Sequence, residues 1–132
     1  AYDEIEKRLG IDALRLEDIP QKLIYSNTVI TGDTATMLFK YGDNYFNVIQ
    51  QIRSVENSSG ITSDRNDKID NTVYNKWLNK EIEIQMATVE GQEIEYSAEL
   101  IFEDSYYYLS GVIDKDDFVN IVKNLYVEIK EK

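Results

Sequence analysis

Apolar residues alternate with polar residues along most of the chain, with the period of two that is typical of strands. The alternation is clearest near the C-terminus, where the apolar positions are Ile94, Tyr96, Ala98, Leu100 and Phe102. A strand of this kind has one buried face and one face in water. The pattern predicts strands over about residues 22–30, 34–41, 45–52, 73–78, 81–89, 93–103 and 106–113.

Turn signals separate several of these strands, as at residues 31–33, 42–44 and 90–91, each of which contains glycine. Such short connections are those of hairpins, so the sheet is predicted to be antiparallel. We expect a meander of about six or seven strands.

A helical period replaces the strand period at both ends of the chain. Residues 2–9 form a predicted short helix, because Tyr2, Ile5 and Leu9 fall on one face. Residues 114–128 form a predicted second helix with the apolar stripe Phe118, Ile121, Val122, Leu125 and Ile129. Asp114 is its expected N-cap, with Asp117 in a capping-box-like position. We predict one α+β domain, residues 1–132, with the C-terminal helix packed on one face of the sheet.

Residues 53–71 interrupt the pattern and are mostly polar. Loops of such length are usually functional or mobile, and we expect residues 57–71 to be the most mobile part of the chain. Within them, residues 64–70 resemble a calcium loop in their recurring acids and amides. The segment lacks the central glycine and the final glutamate of such a loop, so a solvated loop is the favoured interpretation.

The composition excludes several classes of chemistry. The chain has no histidine and no cysteine, which rules out a Ser-His-Asp triad, a thiolate nucleophile and a zinc finger. Its net charge of −11, without a basic cluster, argues against nucleic acid as a partner. No apolar run is long enough to span a membrane, so we expect no direct membrane insertion by this segment. We predict no catalytic, cofactor-binding or metal-ligating residue, and no cofactor.

Three groups of residues allow a functional interpretation beside a structural one. The tyrosines at positions 106, 107 and 108 could stack on a sugar, but aromatic residues are common in sheet cores. The acid pairs Glu93/Glu95 and Asp116/Asp117 could serve a glycosidase, but solvation and helix capping explain them as well. The C-terminal helix could bind a partner, but its apolar stripe is more often core.

The C-terminal third also carries a family resemblance. Residues 100–111, LIFEDSYYYLSG, and residues 114–122, DKDDFVNIV, resemble the ends of a bacterial family catalogued as domain of unknown function 4367. Gly111 stands where that family has its signature glycine, and Phe102 stands where many members carry Trp. The resemblance is specific over about residues 98–125 and implies no catalytic residues.

What the resemblance implies is an extracytoplasmic C-terminal domain of a membrane-anchored protein from Gram-positive bacteria, some relatives being anti-sigma-factor-like. It also suggests kinship with lipoprotein carriers whose sheet is a curved half-barrel. The favoured hypothesis is a non-enzymatic sensing, binding or interaction module. The alternatives are a carrier of an apolar or lipid ligand and, third, a carboxylate-based hydrolase. We expect the partner, an unknown protein or a small apolar ligand, along an edge strand or between sheet and helix.

Overall fold

The computed structural model describes residues 2–17, 19–52, 68–88, 93–103 and 105–127. Its elements, in chain order, are α1 Tyr2–Leu9, β1 Leu14–Leu16, β2 Leu23–Thr31, β3 Thr34–Tyr41, β4 Asn44–Ile52, β5 Lys68–Asn75, β6 Lys80–Thr88, β7 Ile94–Phe102, β8 Ser105–Gly111, α2 Lys115–Lys123 and β9 Leu125–Val127. The predicted fold class is confirmed: the protein is α+β, with an antiparallel sheet, a short N-terminal helix and a C-terminal helix on the sheet.

The seven-stranded sheet has the strand order β2-β3-β4-β8-β7-β6-β5, and every neighbouring pair is antiparallel. It therefore consists of two meanders, β2-β3-β4 and β5-β6-β7-β8, joined where β4 pairs with β8. This is more than the single meander that the turn signals predict. Among the described strands, β2 and β5 are the two edges of this sheet.

Gly111 lies at the join between the two meanders, opposite Phe46. A Cβ atom at this position would stand 2.8 Å from the carbonyl oxygen of Tyr45 and 2.9 Å from Cδ1 of Phe46. Real Cβ atoms do not approach other atoms so closely, so β8 can meet β4 here only without a side chain.

One face of the sheet carries the core, and α2 packs on it through Phe118. The Phe118 ring lies 6.0 Å from the Phe46 ring and 5.9 Å from the Tyr96 ring, centroid to centroid. Phe46 and Phe118 are both fully buried. Edge-to-face and tilted aromatic pairs of this kind add to the stabilisation from burial itself.

The N-terminal segment is tied to the same face by buried polar groups. Tyr107 donates its hydroxyl to the carbonyl of Asp12 at 2.6 Å. Oε1 of Gln50 accepts from the backbone N–H of Leu14 at 2.7 Å. Each bond satisfies a backbone group that would otherwise be costly to bury.

The second helix is shorter than predicted. It ends at Lys123, and residues 125–127 form β9, which pairs with β1 in a separate two-stranded sheet. The apolar pattern does not show where the helix ends. Leu125 continues the apolar stripe and is fully buried, although the backbone leaves the helix at Asn124 (φ −113°, ψ 15°). β1 lies in a stretch that the sequence pattern treats only as a connector.

The strand predicted over residues 73–78 is displaced. The observed strand is Lys68–Asn75, and residues 76–79 are a turn in which Asn79 has a positive φ of 54°. A register shift between Ile69 and Asn71 breaks the period of two. The sequence pattern therefore predicts a loop where the strand begins. Residues 53–67, which include most of the predicted mobile loop and of the calcium-like segment, lie outside the described part of the chain.

The remaining predicted strands agree with the observed bounds to within two residues at each end, and residues 34–41 match without any shift. Hairpin turns fixed by Gly32 and Gly42 account for that agreement, since both glycines have the positive φ that such turns require.

Candidate functional site

One acid of each pair weighed as glycosidase carboxylates has a structural partner. Glu95 is only 6% exposed, and its carboxylate accepts a hydrogen bond from the hydroxyl of Tyr45, whereas Glu93 is exposed. Asp117 accepts from the hydroxyl of Tyr41. Among the described residues, no group of three or more acidic side chains could hold a metal ion.

Asp117 anchors the start of α2 to β3 instead of closing a capping box. Asp114 occupies the N-cap position, as predicted, but makes no side-chain capping bond. Burial raises the pKa of the Tyr41 phenol well above its usual range, and the hydrogen bond to Asp117 raises it further. The phenol therefore stays a donor to Asp117 over the whole physiological range of pH.

The three consecutive tyrosines are largely removed from solvent. Tyr107 lies in the core, and burial raises the pKa of its phenol to about 12. Tyr106 is 3% exposed and donates to Oε2 of Glu99 at 2.5 Å. Tyr108 is half-buried. Because the rings at 106 and 107 are buried, they offer no flat exposed face to a sugar.

The space between α2 and the sheet, where a carrier would hold its ligand, is occupied by side chains. Phe46, Leu109, Phe118 and Ile121 lie there, each at most 1% exposed. The arrangement is that of a packed core.

Strand β2, at one edge of the sheet, is largely exposed: six of its nine residues are exposed and only Leu23 is buried. Its nine residues, Leu23–Thr31, include no Asp, Glu, Lys, Arg or Pro. Ile24 is 64% exposed, Tyr25 46% and Val29 46%. Of the strands that the structure describes, only β3 pairs with it.

The opposite edge differs in chemistry. The sequence of strand β5 includes two charged residues, Lys68 and Asp70, whereas that of β2 includes none. Exposed aromatic residues lie near this edge, with Trp77 54% and Tyr74 52% exposed, and the Trp77 ring contacts the ring of Tyr126 at 6.5 Å.

A cavity of about 460 Å³ opens between β6 and β7, where the two strands stop pairing. Its lining combines charged, apolar and phenolic groups: Lys80, Glu81, Glu99, Leu100, Ile101 and Tyr106. Neither the edge position of β2 nor this opening was predicted from the sequence, because both depend on which strands become neighbours. The absence of charge from residue 23 to residue 31 is the one signal that the sequence does contain.

No helix among the described residues is both long and apolar enough to cross a membrane. Comparison of the chain with models of protein families, with curated proteins and with solved structures gave no match. The resemblance over residues 98–125 therefore stays a prediction from the sequence.

Proposed function

We propose that this protein is a non-enzymatic interaction module that binds an extended segment of a partner protein along β2. The observation that carries the proposal is the chemistry of that strand: an edge strand of nine residues without a single charge, with three large apolar side chains exposed. An exposed edge strand presents unpaired N–H and C=O groups and invites a further strand.

The exposed side chains of β2 lie on both faces of the sheet. Ile24 pairs with Lys40, on the face away from the core. Tyr25 pairs with Phe39 on the core face, and their rings are 5.7 Å apart. A segment added at this edge would therefore gain main-chain hydrogen bonds and apolar neighbours on either side.

The absence of charge on β2 matters because the chain as a whole carries −11. A partner strand that pairs at β2 meets no like charge directly opposite it, whatever its own sign. Hydrogen bonds and apolar contacts would then decide affinity, and the surrounding acids would mainly affect the rate of encounter.

We place the module on the extracytoplasmic side of a membrane-anchored bacterial protein. The support for this placement is the resemblance of residues 98–125 to the domain of unknown function 4367. The close approach of Gly111 to Phe46 gives that glycine a steric purpose, as a signature glycine would have.

A lipid carrier is the weaker hypothesis, because the space between sheet and α2 is filled by Phe46, Phe118 and their neighbours. A carboxylate-based hydrolase is weaker still, since Glu95 and Asp117 each accept a hydrogen bond from a tyrosine hydroxyl. We therefore argue only the interaction module.

The test uses a short blocked peptide of alternating Thr and Val as a neutral strand, with fluorescence anisotropy for affinity and hydrogen exchange for location. The peptide should protect the amides of residues 23–31. The double variant Ile24→Lys, Val29→Lys should weaken binding about tenfold or more, because edge lysines oppose strand addition.

The control variant is Ile69→Lys together with Tyr74→Lys, which places the same two charges at exposed positions on the other edge strand. It should bind the neutral peptide as the parent protein does. Protection at β5 in place of β2, or equal binding by both lysine variants, would show the proposal to be wrong.

A further inference from the structure

Strands β6 and β7 pair over only part of their length. Their ladder consists of four residue pairs, from Thr88 opposite Ile94 to Gln85 opposite Ser97. β6 nevertheless begins at Lys80 and β7 continues to Phe102. Residues 80–84 and 98–102 are thus strand segments that do not pair with each other. The sheet is open between them.

The sequence explains why pairing stops there. If the observed ladder continued in the same register, Ile84 would lie opposite Ala98 and Glu83 would lie opposite Glu99. Like charges directly opposite each other destabilise a strand pair. Both side chains are exposed, and the ladder ends before the two residues would become opposite.

The opening contains the cavity of about 460 Å³, a volume within the range of ordinary ligand sites. Leu100 and Ile101 supply apolar lining, and Glu81 and Glu99 supply carboxylates. Tyr106 donates to Glu99 at 2.5 Å and so orients that carboxylate. Lys80, at the start of β6, supplies a cation and is the only one among the described residues of the lining.

We propose that this opening between β6 and β7 binds an extended, basic peptide segment of a partner protein. The segment would pair as a strand with the stretches of β6 and β7 that do not pair with each other, residues 80–84 and 98–102. A lysine or arginine of the segment would lie between Glu83 and Glu99 and form an attractive cross-strand pair with each.

The choice of a peptide follows from the two kinds of group that the opening presents. Backbone groups of every second residue in each strand point toward the neighbouring strand, and a peptide backbone can satisfy them. The carboxylates at 81, 83 and 99 then select for positive side chains. A small cation would bind the carboxylates but could not hydrogen-bond to the two strand backbones. The same carboxylates would repel the phosphates of a nucleic acid.

This inference does not depend on the proposed function of β2. It concerns a different part of the sheet and a partner of different charge. Two measurements separate the two proposals: the residues in which hydrogen exchange slows, and the variants that weaken peptide binding.

The probe is a short blocked peptide in which Lys alternates with Val, compared with a peptide in which Glu alternates with Val. The lysine peptide should bind, more weakly as salt is raised, and should slow amide exchange in residues 80–84 and 98–102. The double variant Glu83→Gln, Glu99→Gln should bind it about tenfold or more weakly, since two ionic contacts are lost.

The matched control is Glu4→Gln together with Glu17→Gln, which removes two exposed acids from the N-terminal segment and leaves the same net charge as the first variant. This control should bind the lysine peptide like the parent protein. In the Ile24→Lys, Val29→Lys variant the peptide should still slow amide exchange in residues 80–84 and 98–102. The proposal fails if the control loses as much affinity as the Glu83/Glu99 variant. It fails too if the glutamate peptide binds equally well, or if protection appears only in residues 23–31. A dimer that the Glu83/Glu99 variant abolishes would assign the opening to a second copy of the chain and overturn the proposal.

Discussion

The side-chain amide of Asn75 donates to the carbonyl oxygen of Val122 at 2.8 Å and so closes the C-terminal end of α2 from the neighbouring strand. The same amide donates to the carbonyl of Leu125 at 2.8 Å, and its oxygen accepts from the N–H of Leu78 at 2.9 Å. Asn75 is fully buried. It satisfies backbone groups at the end of a helix, at the start of β9 and in a turn.

We expect Asn75→Ala to lower the free energy of unfolding by about 1–3 kcal/mol or more, because the buried backbone groups that bond to Asn75 lose their partner. Urea denaturation followed by circular dichroism measures the change. Asn27→Ala, at an exposed position on β2, should stay within about 0.5 kcal/mol of the parent protein. Equal destabilisation by the two variants would contradict this role of Asn75.

Leu125→Ala tests whether the residue after α2 belongs to the core. Leu125 is fully buried, so the truncation should cost about 2–5 kcal/mol of unfolding free energy. The exposed Ile19, 48% accessible, is the comparison, and Ile19→Ala should change the urea midpoint little. Coincident melts of the two variants would mean that residues 125–127 are not held against the sheet.

Some of these features could be predicted from the sequence and others could not. The strand at residues 34–41 was predicted with its observed bounds because alternation and glycine turns act locally. The end of α2 was missed because Leu125 is buried in either conformation. The start of β5 was missed because a register shift near Asp70 breaks the alternation.

The candidate binding surfaces depend on strand order, which is a non-local property. Nothing in the residues of β4 alone indicates that it pairs with β8, and so nothing identifies β2 and β5 as the edges. The repulsion of Glu83 and Glu99 also exists only in one register of β6 with β7. Contacts between distant strands cannot be predicted from composition or from local patterns, and they had to be seen in the structure.

Gly111→Ala tests the steric account of the join between β4 and β8. The added methyl group would stand 2.8 Å from the carbonyl oxygen of Tyr45, so either strand must shift. We expect a loss of about 1–3 kcal/mol in unfolding free energy, as for other overpacked sites. Ser110→Ala, one position earlier and half-buried, should cost less in the same urea titration. A Gly111→Ala protein as stable as its parent would remove the physical reason for a glycine here.

Tyr107 should make stability fall at alkaline pH. Burial raises the pKa of its phenol from 10.0 to about 12 in the folded protein. Above pH 10.0 the unfolded chain therefore loses this proton first, while the folded protein keeps it. The stabilisation is complete below pH 10.0 and is lost progressively as the pH rises toward about 12.

The variant Tyr107→Phe separates this effect from general alkaline denaturation. At neutral pH it should be less stable by about 1 kcal/mol, because the hydrogen bond to the carbonyl of Asp12 is lost. Between pH 10.0 and about 12 its urea midpoint should fall less steeply than that of the parent protein. Tyr41 contributes to the fall in both proteins, since burial and Asp117 raise its pKa as well. Parallel pH profiles for the parent protein and Tyr107→Phe would show that the Tyr107 phenol does not titrate differently in the folded and unfolded states.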